Sequence, residues 1–157
     1  SWRRVVSSPA PQYLFNGNSI KHMMEFGTIV IAAGGGGIPA YIKEDKGLRL
    51  VDGVIDKDMT SALLARIVKS EEFFIITDVG HVCLNYGEND VKNIHKSNLK
   101  EIKEWLNEGH FKEGTMKPKI EAAIYFLEHH GKKVIITSID NIENAIKGIS
   151  GTIIEKV

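Results

Sequence analysis

The stretch FFIITDVG, residues 73–80, decides the fold that this sequence predicts. Residues 73–77 form a contiguous run without the polar alternation of a half-exposed strand. Such a run is typical of a strand that is buried on both faces of a parallel sheet. Two further runs resemble it, at residues 29–33 (IVIAA) and 134–137 (VIIT). The sequence therefore predicts three buried strands of one sheet.

Helical patterns precede these runs. They cover residues 19–26, 58–70 and 118–130, and in the third the apolar residues recur with the period of one helix face. Pro118 lies in the first turn of that helix and Gly131 just past its end, which is the usual asymmetry of helix termini. The alternation of strands and helices predicts an α/β fold with a mainly parallel sheet and helices on both faces.

Shorter segments complete this prediction. Residues 48–51 and 82–84 are expected to form added strands, so that a β-hairpin accompanies the sheet. Helices are predicted over residues 97–107 and 142–147, and a last strand over residues 152–157. We interpret the 157 residues as a single domain.

Composition excludes several classes of protein. The 20 basic and 20 acidic residues balance, so no overall charge favours nucleic acid or an anionic membrane as a partner. No apolar window is long enough to span a membrane, and no signal-peptide pattern begins the chain. The single cysteine, Cys83, excludes an internal disulfide and is typical of a cytosolic protein. A start on Ser1 leads us to expect that the chain was cut from something longer.

Consecutive glycines at the end of the first predicted strand are the first candidate for a ligand site, because ligands bind outside the carboxyl ends of strands in open parallel sheets. They do not form the dinucleotide fingerprint, since Pro39 stands where a further glycine is required. Residues 109–116 also fail the P-loop pattern. Two interpretations remain open, a flexible turn or a row of backbone N–H groups that cradles an anion. The glycines concerned are Gly34, Gly35, Gly36 and Gly37.

Two lysines at predicted helix starts favour phosphate chemistry. Lys57 lies between two carboxylates where a helix begins, and Lys119 lies in the first turn of another helix. Cations normally avoid helix N-termini, because the macrodipole is already positive there. A phosphate held by the free N–H groups, the dipole and the ammonium would stabilise such a lysine. For either residue alone, a solvated lysine is the alternative.

The histidines do not indicate a metal site, because none of the six belongs to an H-x-x-x-H or H-E-x-x-H array. We therefore predict no metal ligands in the chain. His110 is assigned a packing or capping role. Cys83 is assigned the role of a small buried apolar residue.

Seven blocks of the sequence resemble those of carbamate kinases, in the family's order. They are WRRVVSSPAP (2–11), IVIAAGGGGIPA (29–40), VIDKDMTSALLA (54–65), IITDV (75–79), LNYG (84–87), EGHFKEGTMKPKIEAAI (108–124) and KVIITS (133–138). The blocks at 29–40 and 108–124 favour carbamate kinases over acetylglutamate, glutamate and uridylate kinases, which share the wider amino acid kinase layout. Because carbamate kinases are longer, the chain is identified as their C-terminal, nucleotide-binding half.

The resemblance implies reversible phosphoryl transfer between ATP and carbamate, which gives ADP and carbamoyl phosphate, with Mg²⁺ as cofactor. It implies a cytosolic enzyme of arginine catabolism that is a homodimer in its full-length form and has no nucleic-acid or membrane partner. Two alternatives stay open. One is a non-catalytic nucleotide-binding module, and the other is a sister amino acid kinase acting on another small acid.

The resemblance also implies roles for individual residues. Lys57 and Lys119 would clamp the phosphates and the transferring phosphoryl group, while Asp58 would orient the two lysines. The four glycines would bring backbone N–H groups close to the small acceptor. The nucleotide would contact Thr77, Asp78, Val79, Tyr86, Gly114, Met116 and Lys119. Two departures from the family are expected to alter details: Ser7 replaces a proline, and Gly80-His81 replaces Asp-Gly beside the nucleoside pocket.

Overall fold

The computed structural model describes residues 5–44, 47–87 and 89–156. The chain divides into two compact units, Ser1–Val68 and Lys69–Val157, called here the first and the second unit. The single-domain organisation stays a prediction of the sequence. None of the helices that the structure describes is long and apolar enough to cross a lipid bilayer.

The first unit contains two helices and a hairpin. Helix α1 spans Gly17–Glu25, strands β1 and β2 span Ala40–Lys43 and Gly47–Leu50, and helix α2 spans Lys57–Ile67. The two strands pair antiparallel, so the strand predicted at residues 48–51 is confirmed as one arm of a hairpin. The two helices pack closely at Gly17, where an added Cβ would lie 2.7 Å from Cδ1 of Ile67.

Helix α2 begins where the sequence carries a carboxylate cap. Asp56 is the N-cap residue, and its Oδ1 accepts a hydrogen bond from the Met59 N–H at 2.9 Å. The helix buries Thr60, Ala62, Leu63 and Ala65, which are spread over more than half of its circumference. The prediction of a helix from residue 58 is confirmed to within one residue at its start.

The prediction of a strand at residues 29–33 is wrong. These residues carry no strand assignment, and none of the other described residues pairs with them in a ladder. The side chains of Ile29 and Ile31 are 95% and 100% exposed. The apolar run favours a buried strand, but a strand forms only where a second strand supplies hydrogen-bond partners for its backbone.

The second unit contains the sheet. Its strands and helices are β3 (Glu72–Thr77), β4 (Val82–Leu84), β5 (Lys92–Ile94), β6 (Lys96–Asn98), α3 (Leu99–Asn107), α4 (Met116–Glu128), β7 (Lys133–Ser138), α5 (Ile142–Ile146) and β8 (Thr152–Glu155), with a 3₁₀ turn at Ile139–Asn141. The order in the sheet is β3-β7-β8-β6. Strand β3 is parallel to β7 and β6 is parallel to β8, whereas β7 and β8 are antiparallel. The sheet is therefore mixed, with mostly parallel pairs, and the predicted α/β class is confirmed.

Much of the core of the second unit lies between α4 and strands β3 and β7. Phe126 of α4 is fully buried, and its ring centroid lies 5.4 Å from that of Phe73 on β3. Residues Val134, Ile135 and Ile136 of β7 are all at most 2% exposed, so both faces of this strand are covered. Strands β4 and β5 pair as a separate antiparallel hairpin.

Candidate functional site

A cavity of about 370 Å³ opens in the second unit, beyond the carboxyl end of β3. Its walls come from the segment after β3, from the β4–β5 hairpin, and from the loop that leads into α4. The lining residues are Thr77, Asp78, Val79, His81, Cys83, Tyr86, His110, Phe111, Lys112, Gly114, Thr115, Met116 and Lys119. A cavity of this size is within the range of small-molecule sites.

All seven residues predicted to contact a nucleotide line this one cavity. Thr77 ends β3, and Asp78 and Val79 follow it directly. Tyr86 lies just beyond β4, while the other three come from the start of α4: Gly114, Met116 and Lys119. Segments far apart in sequence thus meet at one edge of the sheet. What the seven residues bind stays a prediction at this point.

The carboxylate of Asp78, in the wall of the cavity, is held in place by the adjacent residue. The Thr77 hydroxyl donates a hydrogen bond to Oδ1 of Asp78 at 3.0 Å. Gly80 follows two residues later, and a Cβ there would lie 3.1 Å from Nδ2 of Asn141. That amide in turn donates to the Ser138 hydroxyl at 2.9 Å. The absence of a side chain at residue 80 therefore lets this loop approach the residues that follow β7.

At the start of α4, no N-cap side chain accepts a hydrogen bond from the first turn, and the Lys117 N–H donates to the Lys112 carbonyl at 3.1 Å. Pro118 has no N–H, so Met116 supplies the N–H group that a ligand could contact here. Thr115 is the N-cap residue, but its side chain accepts no hydrogen bond from the first turn. Its hydroxyl instead donates to the Lys112 carbonyl at 3.4 Å. Lys119 lies in this first turn and lines the cavity. A helix start of this kind, with its positive dipole end, favours anions.

Six lining residues were not predicted as site residues: His81, Cys83, His110, Phe111, Lys112 and Thr115. The sequence carried a signal for the first two, because His81 and Cys83 are two residues apart on either side of the start of a strand and so point to one face. The sequence predicts a packing or capping role for His110, and in the structure its Nε2 lies 3.1 Å from Oε2 of Glu108.

Two of these groups have pKa values moved by their surroundings. Burial raises the pKa of the Cys83 thiol, and this thiol donates to Oδ1 of Asn93 at 3.0 Å. Burial, and then the neighbouring His95, lower the pKa of His81. Both side chains are therefore neutral near pH 7, the thiol protonated and the imidazole uncharged.

The remaining predicted residues lie in the first unit. Lys57 is the first residue of α2, with Asp58 next to it in the first turn. Gly36 approaches the backbone before α2, since an added Cβ would lie 1.7 Å from the Ile55 carbonyl oxygen. Its own carbonyl accepts a hydrogen bond from the Thr60 hydroxyl at 3.1 Å. At least one of the four glycines is therefore required by packing, while the shared clamp of Lys57 and Lys119 stays a prediction.

The described residues contain no cluster of side chains that could bind a metal ion by themselves. Among residues 5–44, 47–87 and 89–156, no three His, Cys, Asp or Glu side chains come together as they would around a metal ion. Mg²⁺ is commonly held by substrate phosphates, waters and only one or two carboxylates. Asp78 in the cavity wall fits such an arrangement, in which the nucleotide supplies most of the ligands.

A protein-family model described as the amino acid kinase family matches residues 2–138. The chain belongs to the amino acid kinase family. Within that family it is 46% identical over 153 residues to a carbamate kinase of Thermoplasma acidophilum, a match that covers 98% of this chain and 50% of the relative. It is 45% identical over 155 residues to carbamate kinase 3 of Staphylococcus aureus, covering 98% of this chain and 50% of that protein.

Among solved structures of amino acid kinases, the carbamate kinase of Giardia lamblia bound to AMP-PNP is 40% identical to this chain and superposes with a TM-score of 0.92. The match covers 99% of this chain and 49% of that protein. The predicted resemblance and fold are confirmed. The chain spans about half the length of the carbamate kinases that it matches.

Proposed function

We propose that this amino acid kinase chain supplies the nucleotide-binding part of a carbamate kinase, which transfers a phosphoryl group between ATP and carbamate. The observation that carries the proposal is the cavity of the second unit, which collects all seven of the predicted nucleotide contacts. The similarity to carbamate kinases supports the choice of reaction. In the full protein we expect a cytosolic homodimer that serves arginine catabolism.

The nucleotide would bind with its nucleoside in the cavity and its phosphates at the start of α4. The nucleoside would lie among Thr77, Val79 and Tyr86, which contribute both apolar and polar surface. The phosphates would accept a hydrogen bond from the Met116 N–H at the start of α4 and pair with the Lys119 ammonium. Mg²⁺ bound with these phosphates would add positive charge where negative charge develops.

The chemistry then depends on position and charge. An oxygen of carbamate attacks the γ-phosphorus of ATP, the bond from that phosphorus to the ADP oxygen breaks, and ADP leaves with the electron pair. The transition state spreads negative charge over the equatorial oxygens, which Lys57 and Lys119 would stabilise. Asp58 would hold the lysines in place by charge-assisted hydrogen bonds. No covalent bond to the enzyme is required.

The acceptor would bind at the glycine loop of the first unit. Gly34 and Gly37 have φ angles of 93° and 84°. Beyond the chain neighbours, no atom of the other described residues lies within 4 Å of a Cβ added at Gly34, Gly35 or Gly37. Open space beside a bare backbone suits an acceptor as small as carbamate, which offers few groups for recognition. Gly36 serves packing instead, because of its approach to Ile55.

A non-catalytic nucleotide-binding module is the second candidate. The observation that favours it is that the whole cavity lies within the second unit, whereas Lys57 and Asp58 belong to the first unit and do not line it. A nucleotide could therefore bind even where transfer does not occur.

The test is a coupled assay of the full-length protein that contains these residues, with Mg²⁺, ADP and carbamoyl phosphate, in which ATP formation is followed. We expect ATP from carbamoyl phosphate and none from acetyl phosphate. Transfer from acetyl phosphate alone would favour a sister kinase. Binding of AMP-PNP without any transfer would favour the non-catalytic module, and absence of both binding and transfer would refute the proposal.

A further inference from the structure

Two histidine rings meet beside the cavity. His81 lines the cavity directly before β4, and His95 directly follows β5. Their ring centroids are 4.6 Å apart, edge to face at 70°. The Nε2 atom of His81 is buried, and no other described residue forms a hydrogen bond with it. The roles proposed above for the cavity residues do not account for this contact.

A buried threonine holds the two rings together. The Thr152 hydroxyl on β8 accepts a hydrogen bond from the N–H of Val82 at 2.8 Å and donates one to the Ile94 carbonyl. These two residues are the chain neighbours of His81 and His95. The His95 carbonyl also accepts from the Ile153 N–H at 2.9 Å. These bonds fix the backbone on both sides, so the two rings can separate only if a histidine side chain rotates or the hairpin moves.

A proton on His81 would be costly in this setting. It would place a charge on a ring with a buried, unpaired nitrogen, next to a second imidazole that can itself be charged. The pKa of His81 is accordingly lowered, first by burial and then by His95. The other titratable groups that share its cavity are Asp78, Cys83, Tyr86, His110, Lys112 and Lys119. Asp78 is the one carboxylate in that set, and the set also contains the two positively charged lysines.

We propose that His81 is a proton-sensitive positioning residue for the nucleotide: when it takes up a proton, it is pushed away from His95, the β4–β5 hairpin loosens, and nucleoside triphosphate affinity falls. The inference rests on the proposed binding of a nucleotide in this cavity. The hairpin carries Cys83 and leads to Tyr86, so its displacement changes one wall of the cavity. Binding is then strongest with His81 neutral, and weakens as the pH falls below the ordinary histidine range.

The experiment measures the affinity of the chain for AMP-PNP by calorimetry between about pH 5.5 and about pH 7.5, on either side of the ordinary histidine pKa. The variants are His81→Gln, which cannot titrate, and His95→Gln, which removes the repulsion but leaves the burial. His129→Gln is the matched control, because this ring stacks on Tyr125 in α4 and does not line the cavity. Protonation of the AMP-PNP phosphates affects all variants equally. The ratio of each variant's affinity to that of wild type at the same pH therefore reports on the protein's own titrating groups.

We expect acid to weaken wild-type binding more than that of His81→Gln, by up to about tenfold for each unit by which bound nucleotide lowers the pKa of His81. His95→Gln should show a smaller loss than wild type, and His129→Gln the wild-type profile. Equal pH profiles for wild type, His81→Gln and His95→Gln would overturn the inference and leave nucleotide binding intact. A lack of AMP-PNP binding at every pH would overturn the proposed function as well. His95 does not line the cavity, so His95→Gln changes no proposed nucleotide contact. Its pH profile therefore tests the inference even where His81→Gln does not fold.

Discussion

Two threonines on neighbouring strands show how much a single hydroxyl can matter. Thr137 on β7 and Thr152 on β8 are both fully buried. The Thr152 hydroxyl joins both strands of the β4–β5 hairpin, whereas no other described residue forms a hydrogen bond with the Thr137 hydroxyl. An unpaired buried hydroxyl destabilises the folded state, and a paired one supports its partners.

We therefore predict opposite outcomes for two chemically identical substitutions. Thr137→Val should leave the free energy of unfolding unchanged or raise it by up to about 1 kcal/mol, because it removes an unpaired polar atom. Thr152→Val should lower that free energy by about 1–3 kcal/mol, because it leaves the Val82 N–H and the Ile94 carbonyl without their partner. Urea unfolding followed by circular dichroism measures both. Equal losses would show that Thr137 has a hydrogen-bond partner in solution.

Lys119 should matter more for turnover than for nucleotide binding. Its proposed role is to stabilise charge that grows in the transition state, so Lys119→Ala in the full-length protein should lower kcat by on the order of 100-fold with a much smaller effect on ADP affinity. Lys117→Ala is the matched control on the same turn, because its ammonium pairs with Glu113 at the surface at 2.6 Å. Steady-state kinetics with carbamoyl phosphate gives both parameters. A raised KM with normal kcat would make Lys119 a simple binding contact.

At the scale of helices and strands, the sequence predicts well where an apolar run has a partner strand nearby. Residues 73–77 and 134–137 form β3 and β7, which pair along their whole length. Residues 29–33 carry the same pattern, yet they form no strand. Hydrophobicity indicates that a segment tends to be buried, but the hydrogen bonds that make it a strand come from elsewhere in the fold.

Two strands, β5 and β6, were not predicted because their sequences carry no pattern typical of a strand. Strands β5 and β6 have the sequences KNI and KSN, and the two strands together contain one apolar residue, Ile94. Their extended form comes from tertiary pairing with β4 and β8, which no local pattern reveals. The same holds for the contact between His81 and His95, which depends on the hairpin and on Thr152. The seven residues predicted to contact a nucleotide, by contrast, line one cavity, and family motifs indicated them because motifs keep their order along the chain.

The glycine loop offers a test that separates packing from substrate binding. Gly36→Ala should lower the free energy of unfolding by about 2–3 kcal/mol, because its Cβ would overlap the Ile55 carbonyl. Gly35→Ala should leave stability nearly unchanged, since its φ angle lies outside the left-handed region and its Cβ would enter open space.

The same pair of variants tests the acceptor proposal in the full-length protein. If the loop binds carbamate, Gly35→Ala should raise the KM for carbamoyl phosphate about tenfold or more while the protein stays as stable as wild type. Thermal unfolding and steady-state kinetics together provide the measurement. Wild-type kinetics for Gly35→Ala would move the acceptor site away from this residue.

At the scale of the whole molecule, the two units differ in how much apolar surface they leave uncovered. Among the described residues, all large apolar side chains that are more than 80% exposed lie in the first unit: Val5, Phe26, Ile29, Ile31 and Ile38. The second unit contains a buried core and the entire cavity. We expect further protein to cover this apolar surface.

The 157-residue chain, studied alone, should therefore bind nucleotide but not catalyse transfer. The cavity lies within the second unit, so AMP-PNP should bind, with weaker affinity than in a protein of the relatives' full length. Transfer requires donor and acceptor to be held in line. In the first unit, the apolar side chains around the proposed acceptor loop are exposed, so few packed neighbours hold that loop in place. Calorimetry, the coupled ATP assay and light scattering test binding, turnover and self-association on one sample. ATP formation at the rate of a full-length enzyme would contradict this prediction, because it would mean that these residues alone hold both substrates in line.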